Sequence, residues 1–119
     1  MVERFLEAMV THDWDAMSAC LAPDVERIGP FGDSYHGRNE YVEFISHLMP
    51  SLPGYSMDIA RVVYAAQQVA LVELSETMEV DGAPVLTPEG LIFDLDQDGL
   101  IHHISIYIRR LQPTPIPSP

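Results

Sequence analysis

The chain has 119 residues, 47% of them apolar, and 18 acidic against 6 basic side chains give it a formal net charge of −12. That length holds one domain with a real core and not two, and without clustered Lys or Arg neither nucleic acid nor an anionic membrane surface is an expected partner. A single cysteine, no run of ~20 apolar residues, and early acids at Glu3, Glu7, Asp13 and Asp15 make a cytoplasmic protein the expectation, without disulfide, membrane span or signal peptide.

From the start of the chain, Phe5, Leu6, Met9 and Val10 recur at helical spacing and predict a first helix. His12-Asp13 breaks it, and Asp13 is placed to cap a short second helix with Trp14, Met17 and Leu21 on one face. Ala22-Pro23-Asp24 reads as the stop of that helix, because the residue before a proline avoids helical backbone. Val25 to Ile28 is predicted as a short strand, Gly29-Pro30-Phe31-Gly32-Asp33 as a loop, and Ser34 to His36 as a second short strand. Tyr41, Phe44, Ile45 and Leu48 mark a third helix from about Asn39 to Met49-Pro50. Ser51 to Gly54 forms a loop, and a strand is predicted from Tyr55 to Ala65.

Val69 to Arg109 reads as three antiparallel strands joined by two tight turns. Val72, Leu74, Met78 and Val80 fall on one parity, while Glu73, Ser75, Thr77 and Glu79 fall on the other. Alternation of period two marks a strand with one buried face. Asp81-Gly82 supplies the positive backbone angles of a two-residue hairpin turn. Leu91, Phe93 and Leu95 continue the buried face, then Asp96-Gln97-Asp98-Gly99 turns the chain into a strand with Ile104, Ile106 and Ile108 inward. Pro88 removes a ladder donor in mid-strand, so a bulge or an edge is expected there. Residues 1–111 are read as one domain and 112–119, alternating with proline, as an extended flexible tail. The order is α+β: three N-terminal helices packed on one side of a curved antiparallel sheet.

Two carboxylates break the inward rows. Glu76 stands between Leu74 and Met78, and Glu89 lies on the inward parity of the next strand unless a bulge at Pro88-Gly90 turns it outward. A carboxylate among apolar neighbours is desolvated, its pKa rises, and it becomes an acid or base near neutral pH. Tyr35, Tyr41, Tyr55 and Tyr64 are candidate pocket hydroxyls. His102 and His103 point to opposite faces of a regular strand, and no zinc-type spacing exists, so no metal site is expected. Asp94-x-Asp96-x-Asp98-Gly99 matches half a calcium loop, but Ser105 takes the place of its closing Glu and the flanks are strands, so it is read as a hairpin turn.

Helices followed by Ala22-Pro23-Asp24-Val25, then Pro30-Phe31-Gly32, then His36-Gly37-Arg38 opening a helix, resemble the nuclear transport factor 2-like superfamily, and most the SnoaL-like group with ketosteroid isomerase. The run Phe93 to Ile101, continuing to Tyr107, is similar to that superfamily's last hairpin. The resemblance covers nearly all of residues 3–110 and implies a conical fold with a pocket for a lipophilic small molecule. It also implies a homodimer through the opposite sheet face, which presents Tyr107. Ketosteroid isomerase chemistry is not implied, because the places of its general base, its oxyanion-hole tyrosine and its neutral carboxylic acid match Gly29, Phe5 and Leu91. The Asp, Arg and second Asp of limonene-epoxide-hydrolase-like members match Glu76, Leu74 and Ile106, so one carboxylate of three survives.

In the resembling fold Val25, Arg27 and Gly29 face the cavity, which makes Arg27 the expected partner of Glu76. The expected site therefore has Glu76 as acid or base, Arg27 orienting it or stabilising negative charge, and Glu89 as a second carboxylate. Leu74, Met78, Phe93, Ile106, Tyr64 and Trp14 are the expected ligand-binding residues. The expected activity is cofactor-independent isomerisation, cyclisation or hydrolysis. A non-catalytic binding module and a structural dimerisation domain remain alternatives.

Overall fold

The computed structural model describes residues 1–109. The boundary at Leu111 and the proline-rich tail lie outside them. Helix α1 (Val2–Thr11) buries Val2, Phe5, Leu6, Ala8 and Met9 and ends at His12, whose positive φ of 59° reverses the chain. Asp13 then accepts a hydrogen bond from the Ala16 amide at 3.1 Å and so caps α2 (Trp14–Ala19). This satisfies one of the donors a helix start leaves open. After α2 come strand β1 (Leu21–Ile28), β2 (Ser34–His36), α3 (Arg38–Leu48) with a 3₁₀ turn at Met49–Ser51, β3 (Ser56–Ala65), β4 (Val69–Val80), β5 (Ala83–Leu95) and β6 (Ile101–Ile108).

All six strands form one open sheet in the order β2-β1-β6-β5-β4-β3. Every neighbouring pair is antiparallel except β1 with β6, which run parallel. That parallel pair corrects two expectations: the sheet is not purely antiparallel, and β1 begins at Leu21 and not at Val25. Pro23 does not break the strand, because the register shifts between the Leu21↔Ile101 and Glu26↔His103 pairs and leaves the proline outside the ladder. Leu21, Ala22 and Val25 are buried on either side of it.

Asp81 and Gly82 both adopt positive φ, at 53° and 80°, and join β4 to β5 as a two-residue hairpin. Pro88 lies at an edge and not in a bulge. The β4–β5 register runs unbroken through its pairing with Ser75, and its carbonyl accepts from the Arg109 amide at 2.9 Å, toward β6. A strand residue's carbonyl and amide point the same way, so the missing donor is aimed where β6 ends and β4 loses nothing.

The last strand is less regular than its alternation suggests. Asp94 pairs with His103 but Leu95 pairs with Ile101, so His102 is an extra residue. The bulge lets Ile101 and Ile104 both turn into the core, where each is about 1% exposed or less. His103 lies with Asp94 and Glu26 on the outer face, its ring nitrogens 3.5 and 3.2 Å from their carboxylates. The Asp96 side chain accepts from the amides of Asp98 and Leu100, both at 2.9 Å, and closes the β5–β6 turn with its own carboxylate.

α1, α2 and α3 lie on one side of this sheet. Phe5 from α1 meets the edge of Phe93 from β5, ring centroids 5.8 Å apart, and Tyr41 from α3 packs beside it. This contact centres the core, and the helices do not fill the space beyond it.

Candidate functional site

Beyond Phe5, the sheet and α3 enclose a cavity of about 430 Å³. β4 contributes Leu74, Glu76 and Met78, and β5 contributes Thr87, Glu89 and Leu91, because each strand turns every second side chain to this face. Ile104, Ile106 and Ile108 close it from β6, Tyr41, Phe44, Ile45 and Leu48 from α3, and Arg27 enters from β1. The loop after β1 forms part of the rim with Pro30, Phe31 and Asp33.

Glu76 and Glu89 lie on adjacent strands, two residues apart in the register (Glu76 opposite Thr87, Leu74 opposite Glu89), so their side chains are diagonal neighbours on the cavity face. Burial and the neighbouring Glu76 push the Glu89 carboxyl up to about 9, against a weaker opposite pull from Arg27. Glu89 therefore keeps its proton at neutral pH, since a charge on it would be buried beside the Glu76 carboxyl with little solvent to stabilise it. The Tyr55 hydroxyl, at the entry to β3, donates to Oε2 of Glu76. Burial first, then the charge of Glu76 and this hydrogen bond, raise the Tyr55 phenol well above its usual value. Tyr55 therefore stays a donor.

Arg27 is 8% exposed and does not pair with Glu76. Its Nη1 meets Asp33 Oδ2 at 2.6 Å, and its guanidinium carbon lies 5.5 and 5.8 Å from the ring centroids of Phe44 and Tyr35. The reason is topological. β6 and β5 separate β1 from β4, whereas the β1–β2 loop brings Asp33 back over Arg27 within six residues. Gly29 makes room for that return, because a Cβ there would lie 2.4 Å from Asp33 Oδ1 and 2.6 Å from Arg27 Nη1. Burial alone would raise the Asp33 carboxyl, but the hydrogen bond and charge of Arg27, with backbone donors, hold it below its usual value. Tyr41, buried beside Arg27, has its phenol pushed up by burial.

Of the residues expected to bind ligand, Leu74, Met78 and Ile106 line the cavity. Three do not. Phe93 is fully buried in the core against Phe5. Tyr64 is 43% exposed near the end of β3 and donates its hydroxyl to Glu3 of α1. Trp14 stacks on His12 at 5.2 Å where α2 begins. Asp33 was not anticipated as a site residue, although Gly29 four positions before it was a sign that something approaches closely. Tyr55 was one hydroxyl candidate among four, and its shared parity with Met57 marks it as inward-facing.

Among the described residues, no group of three His, Cys, Asp or Glu side chains is arranged to hold a metal ion, and no helix is long and apolar enough to cross a membrane. Chemically, the cavity offers a long apolar wall with two carboxyl groups at its polar end, one of them held from behind by the Tyr55 hydroxyl, and an arginine near its rim paired with Asp33.

Comparison with known proteins bears on the family and the fold. The family profile described as SnoaL-like domain matches residues 2–104. No curated protein is significantly similar in sequence. Among solved structures, a candidate polyketide cyclase from Xanthomonas campestris superposes with a TM-score of 0.72 at 26% identity, over 89% of this chain and 85% of that one. An M. tuberculosis LEH-like epoxide hydrolase gives a TM-score of 0.78 at 22% identity, over 91% of this chain and 79% of that one. A candidate ketosteroid isomerase from Kribbella flavida gives 0.79 at 18% identity, over 98% of this chain and 80% of that one. Three different named activities share this backbone, so the fold is common to them and the chemistry is not.

Proposed function

The chain belongs to the SnoaL-like domain family, and from that premise we propose that its cavity binds a lipophilic small molecule and exchanges protons with it through the Glu76–Glu89 pair. The observation that carries the reading is the pair itself, a carboxyl raised to about 9 beside a second carboxyl in an otherwise apolar cavity. Its two members divide the work. Glu76, accepting from Tyr55, is the base; Glu89, which keeps the proton, is the acid. Isomerisation, cyclisation or hydrolysis each need one group to remove a proton and another to supply one, and none needs a cofactor for that step.

Arg27 is not part of the proton exchange in this reading. Its charge is neutralised by Asp33, and it supports the aromatic wall through Phe44 and Tyr35. We further propose a homodimer through the outer sheet face, where Val63, Leu71 and Tyr107 are 44, 44 and 60% exposed around the Arg61–Glu73 ion pair.

The test is native mass spectrometry of protein purified from its own host, with extraction and identification of any retained molecule. That molecule and its close analogues then serve as substrates for the wild type and Glu76→Gln. Loss of turnover of 100-fold or more, with unchanged melting behaviour, is the expected result. Unchanged turnover removes Glu76 from the mechanism. A ligand held equally by both proteins and never converted makes the protein a binding module.

A further inference from the structure

The charges around the Glu76–Glu89 pair do not balance. From β1 and its following loop come Arg27 and Asp33, which neutralise each other at 2.6 Å. Tyr55 before β3 and Tyr41 on α3 are uncharged phenols, both raised by burial. Among the described residues, β6 presents only isoleucines, α1 only Phe5, Leu6 and Met9, and no basic residue other than Arg27 lines the cavity. The lining thus keeps a net negative charge even with one proton on the pair, inside a protein of net charge −12.

We propose that the cavity selects a lipophilic organic cation, an ammonium group on an apolar body, seated between the carboxyl groups of Glu76 and Glu89. The inference rests on reading the cavity as a small-molecule pocket and narrows its ligand class; while the cation is seated the pair is ionised, so both carboxylates act as bases and Glu89 no longer as the acid. Two inward carboxyl groups beside an arginine already paired with Asp33 make a site short of positive charge, and the proton is the smallest cation that can fill it. An ammonium at the same place draws on both carboxylates at once. Aromatic side chains at Phe5, Tyr41 and Phe44, and the soft thioethers of Met57 and Met78, suit the apolar body and the outer surface of the cation. An anion meets uncompensated carboxylates and is rejected, and a neutral molecule of equal shape gains only apolar burial.

Proton and ligand then compete. With Glu89 holding its proton to about pH 9, cation binding releases that proton across the neutral range. Affinity for a cation that has no proton of its own rises with pH, up to tenfold per unit, and levels off once the pair is ionised.

Calorimetric titration of the full-length protein with benzyltrimethylammonium at pH 6, 7 and 8 tests this. Neopentylbenzene serves as the neutral isostere and phenylacetate as the anion. The expected result is cation affinity that strengthens with pH, proton release that shows as a buffer-dependent heat, and no binding of the anion. The Glu76→Gln/Glu89→Gln double variant should bind the cation at least tenfold more weakly while binding the neutral isostere as the wild type does, which also shows that it is folded. Equal, pH-independent binding of cation and isostere overturns the cation inference and leaves the pocket reading standing. Cation binding that the double variant retains overturns it as well. If neither cation nor isostere binds, both readings fall.

Discussion

β4 and β5 run side by side for twelve pairs, and their two ends have different fates. At the Val69–Asp94 end, Ala70, Val72 and Phe93 are at most 1% exposed beneath α1. At the Val80–Ala83 end the same alternation places Glu76, Met78, Thr87 and Glu89 around open space. The strand pattern alone does not distinguish the two ends; what lies across from each does. One end is closed by Phe5 and Leu6, and its side chains are core. The other faces α3 and the β1–β2 loop at a greater distance, and there two carboxyl groups persist.

Truncation at the closed end should therefore have the largest effect. Phe93→Ala removes a ring that meets Phe5 edge-on with no space to collapse into, and should cost about 3–5 kcal/mol in urea denaturation. A loss under about 1 kcal/mol would mean that the closed end is as loose as the open one.

Next comes the ion pair at the rim, where the identity of the partner removed matters. The Arg27 side chain is 10% exposed and Asp33 45%. Asp33→Ala strands a buried guanidinium and should cost about 2–3 kcal/mol, whereas Arg27→Met leaves a carboxylate that can turn to water and should cost about 1 kcal/mol. Equal losses in the two variants would contradict the asymmetry in burial.

The open end also predicts a pH dependence with a definite sign. Folded Glu89 holds its proton to about pH 9, while in the unfolded chain it releases it near its ordinary value of 4.5. Between those values the native state binds more protons, so stability falls as pH rises through the window, and below it the full stability is present. Because Glu89 is only partly buried, solvent screening reduces the effect to about 1–2 kcal/mol between pH 6 and 8. Asp33, lowered in the fold, contributes stability that is lost only in acid, outside this window. Thermal melts across pH 6–8 should slope downward for the wild type and lie nearly flat for Glu89→Gln. The same slope in both would place the titrating group elsewhere.

The sequence made the fold and the two carboxylates legible for a simple reason. A charged residue on a buried parity stands out against its neighbours, as Glu76 does between Leu74 and Met78. What parity does not encode is distance along the strand or across the sheet. Phe93 shares its face with Glu89 but sits under α1, and Trp14 lies on a helix that does not reach the cavity. Pairing Arg27 with Glu76 failed because both face inward with two whole strands between them, each adding about 4.8 Å. Local signals did exist: Gly29 marked the close approach of Asp33, and Tyr55 shared its parity with Met57. Neither named its partner, because partners three strands or a loop apart are fixed by sheet order, which no local pattern contains.

The smallest expected effect belongs to Met78, and it is the sharpest contrast with Phe93. Both are large side chains on the inward face of adjacent strands. Met78, however, already borders empty space and is only partly buried, so its removal enlarges a cavity that the fold tolerates. Met78→Ala should cost at most about 1 kcal/mol of stability, well below the usual penalty for a buried methionine. The truncation should instead appear in binding, as weaker affinity for any apolar ligand that reaches the β4 wall, measured by the same titrations. A penalty comparable to that of Phe93→Ala would mean that Met78 is packed as core. The open end of the sheet would then be smaller than its lining implies, and the room left beside Glu76 too narrow for a ligand.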